Sequence, residues 1–155
     1  MFGFGKKTMK VSTPLAGKIV DITEVPDEVF SEKILGDGFA VIPAADAGNV
    51  VSPCDGKISM LAETNHALAI TADGVELLLH IGLDTVELGG KGFTALVKEG
   101  AVIKKGMPLL AVDWQVLAAA GKNPVTMLVI SNADEVSLKK KNLQNAEVVL
   151  EIECK

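Results

Sequence analysis

Hydrophobic and polar positions alternate along this chain in short stretches, with glycine and proline falling between them. The alternation over residues 18–22, 39–43, 57–62, 67–71, 75–83, 108–112, 125–131 and 147–152 predicts strands, because successive strand side chains face opposite ways. Two short helices are predicted as well. One covers 27–35 and stops at Gly36; the other covers 114–120, with Asp113 as N-cap and Gly121 after it. Strands and helices do not alternate as a parallel α/β sheet requires. The expected fold is therefore all-β, a compact antiparallel sandwich or barrel with short helical turns.

A repeat within the chain points the same way. TPLAGKIVDI at 13–22 returns as SPCDGKISML at 52–61, both reading P-x-x-G-K-I. In each copy the proline and glycine shape a turn, and the residues after it start a strand. A third stretch, VKEGAVIKKGMPLLAVD at 97–113, brackets a short strand between two glycine turns. Related hairpin units of this kind pair into one compact domain, expected over 11–155 behind a short flexible tail at 1–10.

The second histidine stretch, GVELLLHIGLDTVEL, carries the most chemistry under a period-two reading. On a continuous strand Leu79, Ile81 and Leu83 face the core, while His80, Gly82, Asp84 and Val86 face the other way. Gly82 then leaves open space beside His80. In ETNHALAIT, Thr64, His66 and Leu68 share a face if the stretch is extended. Pairing 67–71 with 75–79 through the Asp73-Gly74 turn brings the two histidines close, though not directly opposite. Spacing alone leaves both open to being satisfied structural groups.

Composition narrows the possibilities. The 155 residues are 48% hydrophobic and 23% charged, the balance of a globular chain with its own core. A formal charge of −5 argues against a nucleic-acid binder. All fifteen basic residues are lysines, so the chain cannot clamp phosphate with guanidinium groups, and a partner or the backbone must help neutralise one. Cys54 and Cys154 fit no redox or zinc spacing, and no apolar run reaches transmembrane length; a cytosolic protein is expected. No P-loop, G-x-G-x-x-G or G-x-S-x-G occurs.

From VSTPLAGKIV through VPDEVFSEKILGDGFAVIP, SPCDGKI, ETNHALAI and GVELLLHIGLDTVEL to VISNADEV, the chain resembles the IIA domain of the glucose family of the phosphoenolpyruvate-dependent sugar phosphotransferase system. The resemblance spans roughly residues 11–155, and LLLHIGLDTVEL is its most specific piece. It implies an antiparallel β-sandwich in which His80 accepts a phosphoryl group on Nε2. His66 would aid onward transfer, with Thr64 in the same hydrogen-bond cluster. The implied donor is the phosphocarrier HPr, and the implied acceptor is a cysteine on the IIB domain of a membrane sugar permease. No ATP or other cofactor is required. The resemblance further implies a cytoplasmic monomer working at the inner face of the membrane, with regulated transporters or enzymes as further partners of the dephospho form. Leu68 stands where many relatives have phenylalanine, Cys54 fills a turn position that is usually aliphatic, and the tail is short for a membrane-binding segment.

The chemistry suits imidazole, whose neutral form is nucleophilic near pH 7. A bond from its Nδ1 proton to a carbonyl in the turn around Gly82 would fix the tautomer. Asp84 has the wrong sign to bind phosphate, so it is expected to orient a histidine or to keep the phosphoryl group transferable. Phe39, Ile42, Leu68 and Val86 are candidates for an apolar rim that excludes water and docks partners. Two other classes stay open. A biotinyl or lipoyl carrier would share the P-x-x-G-K-I turns, but needs M-K-M or D-K-A, and neither occurs. A zinc hydrolase would use His66, His80 and Asp84 as ligands; easier to build is a zinc ion bridging His66 and His80 to a partner's carboxylate, with none held by the chain alone.

Overall fold

The structure, a computed structural model, describes residues 7–154. Its strands are β1 (Thr8–Val11), β2 (Gly17–Asp21), β3 (Gly38–Pro43), β4 (Val50–Val51), β5 (Gly56–Leu61), β6 (Ala67–Ala72) and β7 (Val75–Ile81). They continue with β8 (Phe93–Ala95), β9 (Val102–Ile103), β10 (Pro108–Val112), β11 (Thr126–Ile130), β12 (Ser137–Lys141) and β13 (Leu150–Glu153). Two helices of four and six residues, α1 (Glu28–Ser31) and α2 (Trp114–Ala119), join two 3-10 turns at Ile22–Glu24 and Thr85–Leu88. The all-β antiparallel expectation holds, and each predicted strand has its counterpart.

Seven strands form one sheet in the order β2-β3-β11-β7-β6-β5-β9; β1-β13-β12 and β4-β10-β8 form two smaller ones. Alternation divides the apolar side chains of the large sheet between its faces. Phe39, Val41, Leu77, Leu79, Ile81, Leu128 and Ile130 join the main core, which also takes Met9, Val11 and Ile152 from one small sheet and Leu109 and Leu110 from the other. On the opposite face Ala40, Met127 and Val129 pack with Ile22, Val25 and Phe30 in a second cluster. β11 lies between β3 and β7 and is buried on both faces, so TMLVI reads as a continuous apolar run.

The sequence repeat is also a repeat of bonds. Thr13 Oγ1 donates to Leu15 O, and the equivalent Ser52 Oγ donates to Cys54 O. Ser12 N donates to Pro53 O while Val51 N donates to Pro14 O, so the two turns bind each other reciprocally. Each then launches a strand, β2 or β5, that pairs with the strand after it.

Three expectations change. The stretch expected as tail, 1–10, contributes Thr8, Met9 and Lys10 to β1, which pairs with Leu150–Glu153 because Met9 and Val11 bury into the main core; residues 1–6 of that tail lie outside the described residues. The first helix is shorter than 27–35, since Lys33 turns left-handed with φ 59°. The strand predicted over 75–83 stops at Ile81, with consequences for the site.

Candidate functional site

β6 and β7 form a hairpin whose register pairs Ala72 with Val75 and Ala67 with His80. Two residues link the strands, Asp73 with φ 52° and Gly74 with φ 80°, the left-handed pair that matches strand twist. On the other side of β7, His80 pairs with Met127 of β11. Its side chain therefore rises from the centre of the large sheet on the face of the second cluster. His66 lies just before β6, and its carbonyl accepts the Ile81 amide at 2.8 Å. The two imidazole centroids are 5.1 Å apart, with the rings nearly perpendicular.

His80 Nδ1 is 2.9 Å from the Gly82 carbonyl oxygen. A carbonyl only accepts, so Nδ1 carries the proton and the neutral ring presents its lone pair on Nε2. Thr64 Oγ1 is 2.6 Å from His66 Nδ1, which likewise leaves the Nε2 side of His66 for another group. Phe30 of α1 meets the His80 ring edge-on, at 5.4 Å between centroids. Burial holds the His80 pKa below the ordinary 6.5, and the neighbouring His66 pushes the same way; the Gly82 bond, Asp27 and Asp84 oppose them. Burial lowers the His66 pKa as well. Both rings are set to be neutral near pH 7.

Beside His80 lies a cavity of about 200 Å³, walled by Asp27, Val29, Phe30 and Leu35 on one side and by Leu83, Asp84 and Val86 on the other. Several expectations meet a correction here. Leu83 was expected in the core with Leu79 and Ile81, but the chain leaves the strand at Gly82 (φ 78°), and Leu83 joins the second cluster beside His80. Gly82 opens no space for a ligand. A Cβ there would sit 2.5 Å from Thr85 Cγ2 and 3.1 Å from Asn123 O, so its bareness serves the turn's own packing. Phe39 and Leu68 are fully buried in the main core, on the face away from His80, where they pair with Leu128 and Leu79. They are no part of a rim. Val86 and Ile42 are exposed, and Val86 lines the cavity. Asp84 lines it too, with φ 58° and no side-chain bond to the 3-10 turn it precedes.

The wall formed by Asp27, Val29, Phe30 and Leu35 was not singled out from the sequence as part of the site. Asp27 caps α1 by accepting the Val29 amide at 2.9 Å, which turns Phe30 inward and leaves Val29 exposed. The signal available was the D-E-V-F stretch, where an N-cap precedes an aromatic. Among the described residues no three histidine, cysteine, aspartate or glutamate side chains group as a metal site, so Asp84 does not complete a hydrolase triad with the two histidines. A larger hollow of about 700 Å³ beside Phe93 and Trp114 holds neither histidine.

The family described as "phosphoenolpyruvate-dependent sugar phosphotransferase system, EIIA 1" matches residues 9–136. The chain is 42% identical over 137 residues to the glucose-specific EIIA component of the PTS system of Borreliella burgdorferi, covering 86% of this chain and 71% of that protein. It is 45% identical over 139 residues to the glucose-specific EIICBA component of Staphylococcus carnosus, which takes in 89% of this chain and 20% of that longer protein. The solved structure of glucose permease IIA from Mycoplasma capricolum superposes with a TM-score of 0.82 at 36% identity, covering 94% of this chain and 96% of that one.

Proposed function

Since the chain belongs to the EIIA 1 family of the phosphoenolpyruvate-dependent sugar phosphotransferase system, and so is a phosphoryl-relay component of sugar uptake, we propose that His80 is its phosphoryl acceptor and His66 its helper. One observation carries this assignment: the Gly82 carbonyl takes the Nδ1 proton of His80 and leaves a neutral Nε2 beside a second imidazole. The lone pair of Nε2 attacks the phosphorus of phospho-HPr. A P–N bond to the donor histidine breaks as the P–Nε2 bond forms, and Nδ1 keeps its proton throughout. In the second transfer the P–Nε2 bond breaks and a cysteine thiolate of a IIB domain takes the phosphoryl group as a P–S bond. Such transfers pass through loose transition states, so positioning and electrostatics dominate. His66, steadied by Thr64, can donate from Nε2 to a phosphoryl oxygen, while Asp84 and Asp27 repel the group and keep it transferable.

Val29, Leu35 and Val86 form an exposed apolar rim that excludes water and docks each partner in turn. In the dephospho form the same rim would dock regulated transporters or enzymes. The IIB assignment draws support from the fused EIICBA relative. No helix of the described residues is long and apolar enough to cross a membrane. On this reading the chain is a cytoplasmic monomer that meets its permease at the inner membrane face. The chain needs no cofactor on this reading. A zinc ion would find two imidazole Nε2 donors here and would need a partner's carboxylate to complete its shell.

Labelled phosphoenolpyruvate with enzyme I and HPr tests the assignment. Wild type is expected to take acid-labile, base-stable label, and His80→Gln none; label persisting in His80→Gln would overturn it. His66→Gln is expected to accept label yet fail to pass it to IIB.

A further inference from the structure

Lys141 on β12 is distant from His80 in sequence and sits in a different sheet, yet it holds the base of the loop that walls the site. Its Nζ lies 2.7 Å from Asp21 Oδ1 and 2.7 Å from Asp37 Oδ1. Those two carboxylates stand where the β2–β3 connection begins and ends: Asp21 closes β2, and Asp37 precedes β3. Everything between them is an excursion over the second cluster. It buries Ile22, Val25 and Phe30 and brings Asp27, Val29, Phe30 and Leu35 to the His80 cavity. The α1 helix within it is a single turn, too short to persist on its own. Its placement depends on what fixes its two ends.

We propose that Lys141 is a positioning residue for phosphoryl transfer, an ionic clasp that keeps the connection shut so that Phe30 stays against His80. The proposal rests on the reading of His80 as acceptor. Three features set this clasp apart from the ion pairs around it. The Lys141 side chain is only 18% exposed, against 54% for Lys139 and 65% for Lys140 on the same strand, so solvent screens it less. Both carboxylates are engaged elsewhere and cannot swing away. Asp21 accepts from the Ile22 amide and the Thr23 hydroxyl, and Asp37 accepts from the Gly38 amide. Finally, the two carboxylates converge on one ammonium. Without that cation the two carboxylates would face each other across the mouth of the loop with only the half-exposed Lys33, 3.6 Å from Asp37 Oδ2, to offset them, and their repulsion would spread it. The bonds to Asp21 and Asp37 raise the Lys141 pKa and outweigh the opposing effect of burial, so the clasp stays charged at neutral pH.

The test compares Lys141→Met, Lys141→Arg and, as a control on the same strand, Lys140→Met. Two readouts need no phosphoryl donor: amide exchange at Phe30, Ser31 and Glu32, and the His80 titration followed by imidazole NMR. In Lys141→Met those amides are expected to exchange at least about tenfold faster while β7 and β11 amides keep their protection. As Phe30 lifts, water reaches His80, and its pKa is expected to rise toward the free value. His66 and Asp84 face the same ring from outside the connection and are unaltered; Asp27 leaves with the connection and its loss opposes the rise, but burial is the larger influence, so the net shift reports the loop. With phospho-HPr, KM is expected to increase more than kcat falls, and phospho-His80 to hydrolyse faster. Lys141→Arg should restore all of these, and Lys140→Met should change none. Lys141→Met with wild-type exchange at 30–32 and an unmoved His80 pKa would overturn the proposal, even with a lowered melting temperature. If Lys141→Met does not fold, Asp37→Asn weakens the same clasp, and the same two readouts decide. Failure of the acceptor assignment would appear separately, as label on His80→Gln.

Discussion

At Gly82 the chain turns out of β7 with φ 78°, and that turn serves His80 twice. It aims the Gly82 carbonyl back at Nδ1, and it sends Leu83 to the second cluster instead of the main core. Alanine at this position would pay the left-handed penalty and also press its Cβ onto the Thr85 side chain. Gly82→Ala is expected to lower stability by about 2 kcal/mol in urea unfolding. It is expected to slow phosphoryl acceptance as well, because the carbonyl that fixes the tautomer moves with the turn. Normal acceptance in a destabilised Gly82→Ala would show that another group can hold the Nδ1 proton. The sequence made the carbonyl bond legible, since a glycine two residues after a histidine marks a turn within reach of the ring. It did not reveal the crowding at Gly82, which comes from Thr85 folding back to donate to Ile81 O at 2.5 Å. Phe39 and Leu68 were misplaced for a related reason. Both faces of this sheet carry apolar clusters, so an apolar position on an alternating strand does not disclose which cluster it joins.

Strands proved more legible than helices because burial amplifies alternation. β11, enclosed between two neighbours, declares itself by an unbroken apolar run; β12, SLKKK, half-buried or exposed at each position, gives no such signal. The two-residue strands β4 and β9 are too short for any period to register. α1 extends only as far as its Asp27 cap and Phe30 anchor support it. The β6–β7 hairpin is the element on which the site depends, since its register sets Ala67 opposite His80 and so brings His66 alongside. Gly74, at φ 80°, ends its two-residue turn, and a Cβ there would meet nothing within 4 Å. Gly74→Ala therefore isolates the conformational penalty, expected at about 1 kcal/mol. Phosphoryl acceptance should be unchanged, because five further pairs between the strands hold the register. Denaturation and labelling of one preparation check both halves, and a loss of acceptance would mean that the turn itself sets the register.

For the whole molecule, the site and the clasp give stability a pH profile with assignable limits. His66 and His80 have pKa values lowered by burial, so the unfolded chain binds their protons more readily than the folded one. Their contribution is complete above the unfolded value of 6.5, is lost as pH falls through the lower folded values, and then levels off. Asp21 has a lowered pKa: burial raises it, but the bonds from Lys141 and Thr23 prevail. Its contribution is complete above the unfolded 3.8 and is lost further into acid. Unfolding free energy should thus fall on acidification through a histidine contribution that begins to be lost near 6.5 and an Asp21 contribution that begins to be lost near 3.8. His66→Gln with His80→Gln should abolish the first and spare the second, whereas Lys141→Met should weaken the second. The same sign governs the chemistry. With the folded His80 pKa below 6.5, Nε2 remains unprotonated at a pH where a free imidazole is half charged, and the nucleophile persists. The rate of acceptance from phospho-HPr, measured at saturating donor, is expected to fall on acidification with a midpoint below 6.5. A midpoint at or above 6.5 would mean that Phe30 and the sheet do not shield His80 as the structure shows.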